Sequence, residues 1–405
     1  MADNAIAKVR ANLLLLGRTG NGKSEFVNFV LGEHVAETGC GVPVTQEFDR
    51  YEYVLKDGLP ITIFDSKGLE VDQLDLITEN IRAFIQKKNS SPSLNEWFHA
   101  VFYFINSGRA RLENYEKELI RNIGKITKQP VYTVLTHCYE NITETESELT
   151  DIIHTIDSAA DTVFRINMIE KTDRLKRTKK VFGRAEIEKA LPDILWENTA
   201  RKLADTYASN LCGGLRETID NLEEQKLLCI AEHDGLVLQA VPEMIQEEFE
   251  KKAGPIIREF FKTQKQDLDR MSDDFNELYF SLIRELDSNI TEKIEPAALT
   301  SHVFSDQIYE SVMTIAKATL DSKMNSDTLH EILNEIKKTL FPKRYYPEYY
   351  QKLEILFYDG LRRWIPSANV ISQSVYEALK TQRKNSLSSI AKKKRKTPNN
   401  HTFTD

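Results

Sequence analysis

Gly17-Arg18-Thr19-Gly20-Asn21-Gly22-Lys23-Ser24 is the stretch that decides the fold of this sequence. An aliphatic run, Leu13 to Leu16, precedes it, and a segment with helical apolar spacing, Glu25 to Leu31, follows it. The stretch matches G-x-x-x-x-G-K-[ST], whose glycines let backbone N–H groups turn toward phosphates at a helix N-terminus. Because a strand is predicted before it and a helix after it, the match indicates a phosphate-binding loop rather than an ordinary glycine-rich turn.

The residues of this loop have distinct predicted roles in holding a nucleotide. Lys23 would bridge the β- and γ-phosphates, and Ser24 would give its hydroxyl to Mg²⁺. We predict that the nucleotide contacts the whole loop and the residue after it, namely Gly17, Arg18, Thr19, Gly20, Asn21, Gly22, Lys23, Ser24 and Glu25.

Two further motifs follow along the chain. Thr45 lies in a glycine-rich loop, where it is either an ordinary loop threonine or a residue whose hydroxyl binds Mg²⁺ while its N–H contacts the γ-phosphate. Asp65-Ser66-Lys67-Gly68 follows a predicted strand, so that Asp65 would bind Mg²⁺ through water and the Gly68 N–H would contact the γ-phosphate. The predicted catalytic groups are thus Lys23, Thr45 and Gly68, and the predicted metal ligands are Ser24, Thr45 and Asp65.

Strand-like and helical segments alternate over the first half of the chain. The continuous apolar run from His99 to Ile105 is typical of a parallel strand that is covered on both faces. We therefore predict an α/β domain over residues 8–205 with a mixed, mostly parallel sheet. Its other strands are predicted at Val9 to Leu16, Phe48 to Leu55, Leu59 to Asp65, Val131 to Leu135 and Thr162 to Met168, and its later helices at Asp72 to Lys88, Glu113 to Ile123, Thr143 to Ala159 and from Ala185 onward.

Composition excludes several classes of protein. The 405 residues include 54 Lys and Arg against 62 Asp and Glu, so with a formal net charge of −8 we expect no specific binding of nucleic acid. The four cysteines form no C-x-x-C pair, which favours a reducing compartment. The polar N-terminus lacks the apolar region of a signal peptide, and no apolar run reaches the roughly 18 residues of a spanning helix. These features predict a cytoplasmic protein.

The second half of the chain has the spacing of amphipathic helices. We predict a helical domain over residues 206–382, followed by a basic, disordered tail over residues 383–405. Residues 341–366 mix aromatic side chains with Lys and Arg, a composition found in the core and rim of a helical bundle and also in segments that contact a membrane surface. The predicted helices lie at Leu215 to Glu232, Met244 to Phe261, Leu268 to Leu286 and Thr328 to Phe341.

The order of these motifs resembles that of the TRAFAC-class P-loop GTPases. Within that class, the chain is similar to the Era-like group and to the septin-related relatives that include the immune-associated and chloroplast-translocon GTPases. The resemblance covers roughly the first half of the chain, at Gly17 to Ser24, Pro43 to Gln46, Asp65 to Gly68, His99 to Leu119 and Thr136-His137.

Two positions depart from the family pattern. Leu69 stands where relatives have a glutamine that orients the attacking water, so hydrolysis should be slow or be completed by another residue, for which Arg18, Lys67, Arg109 and Arg111 are candidates. Tyr139 stands where the family has an Asp that binds guanine. The immune-associated and translocon branch often carries Thr-His, which implies that Thr136 and His137 serve the base, and Asn167 is a further candidate for base contact.

The resemblance implies a GTPase that binds GTP and GDP with Mg²⁺, hydrolyses GTP slowly, and acts as a molecular switch on its helical domain or on a partner. It also implies a homodimer formed through the nucleotide face. Two alternatives remain open at the level of sequence. One is a dynamin-like membrane-remodelling GTPase, with peripheral membrane contact through residues 341–366. The other is a pseudo-GTPase scaffold that binds nucleotide without turnover, which Leu69 and Tyr139 would explain.

Overall fold

A computed structural model describes most of the first half of the chain and three long helices of the second half. The described residues are 9–31, 42–43, 48–54, 59–67, 74–91, 93–109, 112–157, 159–172, 178–225, 251–286, 355, 358–359, 362, 365 and 367–396.

A seven-stranded sheet forms the centre of the first half, in the order β2-β3-β4-β1-β5-β6-β7. Strand β1 pairs in parallel with both β4 and β5, and β6 and β7 continue the parallel part. Strands β2 and β3 add an antiparallel edge next to β4. The strands are β1 (Ala11–Gly17), β2 (Val42–Pro43), β3 (Phe48–Val54), β4 (Pro60–Ser66), β5 (Ala100–Asn106), β6 (Val131–Thr136) and β7 (Ala159–Arg165). The predicted mixed, mostly parallel sheet is confirmed.

The sequence explains why β1 and β5 are central. Both are apolar without alternation, and every residue of β1 is buried, as a strand covered on both faces requires. On one face, side chains of β1, β4 and β5 pack against three helices: α2 (Leu74–Asn89), α3 (Asn114–Thr127) and α4 (Glu144–His154). On the other face, Phe26 of α1 (Lys23–Leu31) packs against Phe102 and Phe104, with ring centroids 6.3 and 4.9 Å away. Burying one such side chain contributes about 1.5–3 kcal/mol.

The ends of α3 and α4 follow from local hydrogen bonding. Both helices begin with a capping box, formed by Glu113 with Glu116 and by Thr143 with Glu146. Helix α4 ends at His154, five residues before the end predicted from the sequence, and β7 begins at Ala159. The difference arises because Ala159 pairs with Val131 of β6, so that a non-local strand pairing overrides the local helical pattern.

Three long helices lie from residue 184 onward. They are α5 (Arg184–Glu224), α6 (Gly254–Leu286) and α7 (Ala368–Lys396), and a short hairpin, β8 (Lys171–Thr172) with β9 (Thr178–Lys179), precedes α5. The predicted helical second half is confirmed in these residues. Residues Thr328 to Phe341 lie outside the described part of the chain. None of the described helices is long and apolar enough to cross a membrane.

Two predictions about these helices are wrong. The break predicted between Phe261 and Leu268 does not occur, because residues 262–267 contain neither Gly nor Pro and α6 runs through them. The tail predicted to be disordered from residue 383 is helical as far as Lys396, since its Lys, Arg, Ala and Leu residues favour a helix and the next proline is Pro398. Residues 397–405 lie outside the described part of the chain.

The chain divides into two compact units. The first contains the described residues up to Lys202 together with those from Asp273 to the end of α6, and the second contains the remainder. Within the second unit, Tyr358 is buried and its hydroxyl donates to the Leu222 carbonyl at 3.2 Å. Arg362 forms ion pairs with Asp220 and Glu223 of α5 and with Asp359. Tyr358 and Arg362, which belong to the aromatic and basic segment 341–366, therefore contact α5. The other aromatic and basic residues of that segment lie outside the described residues.

Candidate functional site

The phosphate loop lies between β1 and α1 and has a backbone that only its glycines adopt easily. Gly17, Gly20 and Gly22 have φ values of 143°, 76° and 87°. A Cβ atom on Gly17 would lie 2.6 Å from the Phe104 carbonyl oxygen, so β1 and β5 can approach each other here only without a side chain. Thr19 and Gly20 lie exposed at the tip of the loop.

Asn21 joins the loop to the two neighbouring strands. Its side-chain amide donates to the Phe104 carbonyl of β5 at 2.6 Å, and its own carbonyl accepts from the Thr136 hydroxyl at the end of β6 at 3.0 Å. Its N–H closes a turn onto the Arg18 carbonyl at 3.2 Å. Asn21 and Thr136 are thus brought together, and both are buried. Thr136 supports the loop through its side chain, a role that the sequence pattern alone did not indicate.

Lys23 folds back over the loop that precedes it. Its ammonium group donates to the carbonyls of Gly17 at 2.9 Å and Arg18 at 3.2 Å. Burial lowers the pKa of Lys23, and the nearby Asp65 carboxylate opposes that change. A buried cation whose hydrogen bonds among the described residues go to neutral carbonyls is well placed to receive an anion, because opposite charge offsets the cost of burial.

Ser24 and Asp65 form the second half of the site. The Ser24 hydroxyl donates to Asp65 Oδ2 at 2.7 Å, and Asp65 Oδ1 is buried with no hydrogen-bond partner among the described residues. Burial raises the pKa of Asp65 to about 6, and the charge of Asp49 adds to this rise. The hydrogen bond from Ser24 and the charge of Lys23 lower the same pKa but do not cancel the effect of burial. A hydroxyl and a carboxylate with a free oxygen are hard donors that fit Mg²⁺.

The segment after β6 contains the residues predicted to meet the base. His137 has a φ of 57°, and its carbonyl accepts from the Lys179 ammonium group of the β8–β9 hairpin. That ammonium group lies 4.2 Å from the centre of the Tyr139 ring. Burial lowers the pKa of His137, Glu25 raises it, and Lys179 and Lys171 lower it further. The structure therefore places His137, Glu25 and Lys179 near one another.

An ion pair between half-buried Arg165 and buried Glu146 holds this segment in place. Arg165 of β7 donates to Glu146 Oε2 from Nε at 3.1 Å and from Nη2 at 2.5 Å, and Nη2 also donates to the Tyr139 carbonyl at 2.8 Å. Glu146 Oε1 accepts the Tyr139 N–H at 3.3 Å. The Glu146 side chain is only 1% exposed. The position of Tyr139 is thus determined by its backbone contacts with Arg165 and Glu146.

Asn167 is buried and its side chain contacts the segment from Ile169 to Lys180; its contact with the base stays a prediction. Its side-chain amide nitrogen donates to the carbonyls of Ile169, Lys179 and Lys180 at 2.7, 3.2 and 2.9 Å. Its backbone pairs with Phe182 in both directions. Asn167 therefore holds the hairpin that carries Lys179.

The remaining candidates divide into those that are described and those that are not. The Arg18 guanidinium lies 5.9 Å from the centre of the Tyr115 ring, and Arg109 also acts on Tyr115 electrostatically. Lys67 is exposed directly after β4. Four positions predicted from the sequence lie outside the described residues, namely Thr45, Gly68, Leu69 and Arg111.

Sequence reasoning missed three residues of this region. Lys179 carried no motif, and Met168 lies with its Cε 2.8 Å from the Cβ position of Gly22, against the phosphate loop. Tyr115 contacts Arg18 from α3. Only Lys179 had a signal that could have been used, since it lies in a lysine-rich stretch between the last predicted strand and the next helix.

The family profile that matches this chain agrees with the motifs. The AIG1 family profile matches residues 11–169. Toc33 from Arabidopsis thaliana in complex with GDP and Mg²⁺ is 19% identical over 46% of this chain and 84% of that chain, with a TM-score of 0.34. Aquifex aeolicus Era bound to GDP and aluminium fluoride is 14% identical over 49% of this chain and 68% of that chain, with a TM-score of 0.33. None of the curated proteins compared with this sequence matches it.

Proposed function

From the premise that residues 11–169 form a G domain of the AIG1 family, we propose that the protein binds guanine nucleotide with Mg²⁺ and hydrolyses GTP slowly as a molecular switch. The observation that carries this proposal is the arrangement of Lys23, Ser24 and Asp65 at the end of β1 and β4. At the N-terminus of α1, the Ser24 hydroxyl donates to the Asp65 carboxylate, and the charge of the Lys23 ammonium group lowers the pKa of that carboxyl.

Each group has a task that follows from its chemistry. The loop N–H groups and the N-terminus of α1 would bind the phosphates, and Lys23 would exchange its two carbonyl partners for phosphate oxygens. Ser24 and Asp65 are the described residues that would hold Mg²⁺, with Thr45 as the proposed third ligand. The bound ion would neutralise charge on the phosphates during transfer.

The proposed slow rate rests on Leu69, which cannot orient a water molecule. Arg18 and Arg109 both lie close to Tyr115, and with Lys67 they are the described candidates for a cation that acts in transfer. We propose that the protein completes hydrolysis with help from a second copy across the nucleotide face. Two copies joined in that way would each supply a cation to the other.

The switch itself would consist of the loops that carry Thr45 and Gly68. Loss of the γ-phosphate would release its contacts with Thr45 and Gly68, and so change the surface that the G domain presents to the helical half or to a partner. We also propose a cytoplasmic location, because the described cysteines, Cys138 and Cys212, are buried and form no disulfide. A membrane contact through residues 341–366 would belong to the dynamin-like alternative.

Two measurements test the proposal. Calorimetric titration of nucleotide-free protein with GTP, GDP and ATP should show preferential binding of guanine nucleotides. Single-turnover release of phosphate from GTP should proceed faster in the wild-type protein than in Lys23→Ala. A protein that binds GTP but releases phosphate no faster than Lys23→Ala would be a pseudo-GTPase scaffold, and tubulation of liposomes dependent on nucleotide would favour the membrane remodeller.

A further inference from the structure

The base-binding side of this site lacks the carboxylate that the end of β6 would be expected to supply. Tyr139 stands there, and the Lys179 ammonium group covers its ring at 4.2 Å. The nearest buried carboxylate of that segment, Glu146, is already used, because Arg165, Tyr139 and Thr143 all donate to it. Guanine recognition at this site therefore needs an acceptor from elsewhere.

Glu25 has a carboxylate oxygen that is buried and has no hydrogen-bond partner among the described residues. It lies in the first turn of α1, directly after Ser24. Its Oε2 atom lies 3.5 Å from the Cβ position of Gly22, a position that is also 2.8 Å from Met168 Cε and 3.6 Å from Thr136 Cγ2. The unpaired oxygen thus sits where the phosphate loop, the end of β6 and the segment after β7 meet.

The two carboxylates of the site act on different groups. The charge of Asp65 raises the pKa of Lys23, whereas the charge of Glu25 raises the pKa of His137. Asp65 lies at the end of β4, on one side of β1, and His137 follows β6, on the other side beyond β5. Glu25 directly follows Ser24, but its Oε2 atom lies near the same Gly22 Cβ position as Thr136 and Met168, on the His137 side of the phosphate loop.

We propose that Glu25 is the specificity-determining residue of this protein, whose carboxylate accepts the N1–H and 2-amino hydrogens of guanine in place of an aspartate at position 139. This inference rests on the proposed function, since it names the group that reads the base in the same site. A buried carboxylate oxygen without a hydrogen-bond partner favours a base edge that presents N–H donors and disfavours an edge that presents carbonyl oxygens. Guanine would supply one donor to Glu25 Oε2, which has no partner among the described residues, and a second donor to the other carboxylate oxygen.

The test compares GTP, ITP, XTP and ATP by calorimetry on wild-type protein and on Glu25→Gln. ITP lacks the 2-amino group, and XTP presents a carbonyl oxygen in its place. We expect the wild-type protein to bind GTP about tenfold more tightly than ITP, the value of one hydrogen bond to a charged group. In Glu25→Gln this ratio should approach one, and XTP should bind more tightly than it does to the wild-type protein because the amide can donate.

Glu118→Gln is the matched control, because it removes one exposed carboxylate from α3 and should leave all four affinities unchanged. Glu25→Asp provides a second variant, in which a shortened carboxylate should lower the GTP-to-ITP ratio without raising the affinity for XTP. A GTP preference that survives unchanged in Glu25→Gln overturns the inference alone. Absence of guanine preference in the wild-type protein overturns the proposed function, and the inference with it.

Discussion

Ser24 and Asp65, 41 positions apart in the sequence, are joined by a hydrogen bond of 2.7 Å from the serine hydroxyl to Asp65 Oδ2. The bond connects the first turn of α1 to the end of β4, so the phosphate loop and the D-x-x-G motif meet in space as the sequence requires of a nucleotide site. Because β4 pairs in parallel with β1, both motifs lie at the same edge of the sheet. This pair is the structural basis of the proposed Mg²⁺ dependence.

Removing the Ser24 hydroxyl should remove the benefit of Mg²⁺. In the wild-type protein we expect Mg²⁺ to strengthen GTP binding, since the ion bridges phosphate oxygens to Ser24 and Asp65. In the absence of Mg²⁺, Ser24→Ala should bind GTP with the same affinity as the wild-type protein. The factor by which Mg²⁺ increases the affinity for GTP should be at least about tenfold smaller in Ser24→Ala than in the wild-type protein. Calorimetry with and without Mg²⁺ measures both values, and Ser90→Ala, a hydroxyl at the end of α2, serves as the control. An equal gain from Mg²⁺ in Ser24→Ala would remove Ser24 from the metal site.

Two glycines of the phosphate loop should differ sharply in how they tolerate alanine. Gly17→Ala places a Cβ 2.6 Å from the Phe104 carbonyl oxygen, a backbone atom that cannot move without separating β1 from β5. The Cβ of Gly20→Ala would have no atom within 4 Å, so this substitution costs only the strain of a positive φ. We expect a loss of more than about 3 kcal/mol for the first and about 1 kcal/mol for the second. Urea unfolding of nucleotide-free protein compares them, and equal losses would contradict the close approach.

The buried pair of Arg165 and Glu146 should be costly to break from one side. Arg165→Met leaves a carboxylate that is 1% exposed without its cation, so we expect a loss of about 3–5 kcal/mol. The double variant Arg165→Met, Glu146→Met should recover part of that loss, because no unpaired charge remains. Arg201→Met is the control, since it breaks an exposed pair with Glu197 and should cost under about 0.5 kcal/mol. Similar losses for Arg165→Met and Arg201→Met in urea unfolding would show that the buried pair is not important.

Lys202 should make the stability of the protein depend on pH. It is 5% exposed, its ammonium group lies 4.7 Å from the centre of the Trp97 ring, and burial with the nearby Lys128 lowers its pKa from 10.5 to about 6. Between these values the unfolded chain holds a proton that the folded chain does not. The free energy of unfolding should therefore rise with pH across this window, by up to about 1.4 kcal/mol per pH unit.

Lys202→Met keeps the length of the side chain and removes the titrating group, so its free energy of unfolding should depend less on pH above about 6. Below about pH 6, protonation of His99 should lower the free energy of unfolding in both proteins. Burial and Lys202 lower the pKa of His99 from 6.5 to about 3, so acid destabilises the fold by charging a buried imidazole. Urea unfolding at pH 6, 7.5 and 9 provides the comparison. Parallel pH profiles for the wild-type protein and Lys202→Met above pH 6 would rule out a buried neutral amine.

Local patterns predicted the G domain well because its central elements are unambiguous. The strands at Leu13 to Leu16 and His99 to Ile105 are apolar throughout, and the glycine-rich loop fixes what lies on either side of it. The end of α4 was misplaced because only the pairing of Ala159 with Val131, across the sheet, decides it. The continuity of α6 was missed because a polar stretch without Gly or Pro gives no local sign of either a break or its absence.

The candidate site divides in the same way. Lys23, Ser24 and Asp65 could be read from motifs, because the spacing of phosphate-binding groups is tied to short stretches of chain. The contacts of Lys179 with His137 and Tyr139, and of Asn21 with Phe104, join elements that are far apart in the sequence. No spacing rule describes such contacts, and the fold has to be known before they can be found.

The most direct test of the account is the affinity for GTP and ATP, each with Mg²⁺, measured by calorimetry on nucleotide-free wild-type protein and on Lys23→Ala. Lys23 is the buried cation that caps the loop at 2.9 Å from the Gly17 carbonyl, and a phosphate would take that carbonyl's place. We predict that GTP binds more tightly than ATP, and that Lys23→Ala weakens GTP binding by at least about 100-fold, or roughly 2.7 kcal/mol. Equal affinities for GTP and ATP, or GTP binding that is unchanged in Lys23→Ala, would contradict a guanine nucleotide held by this loop.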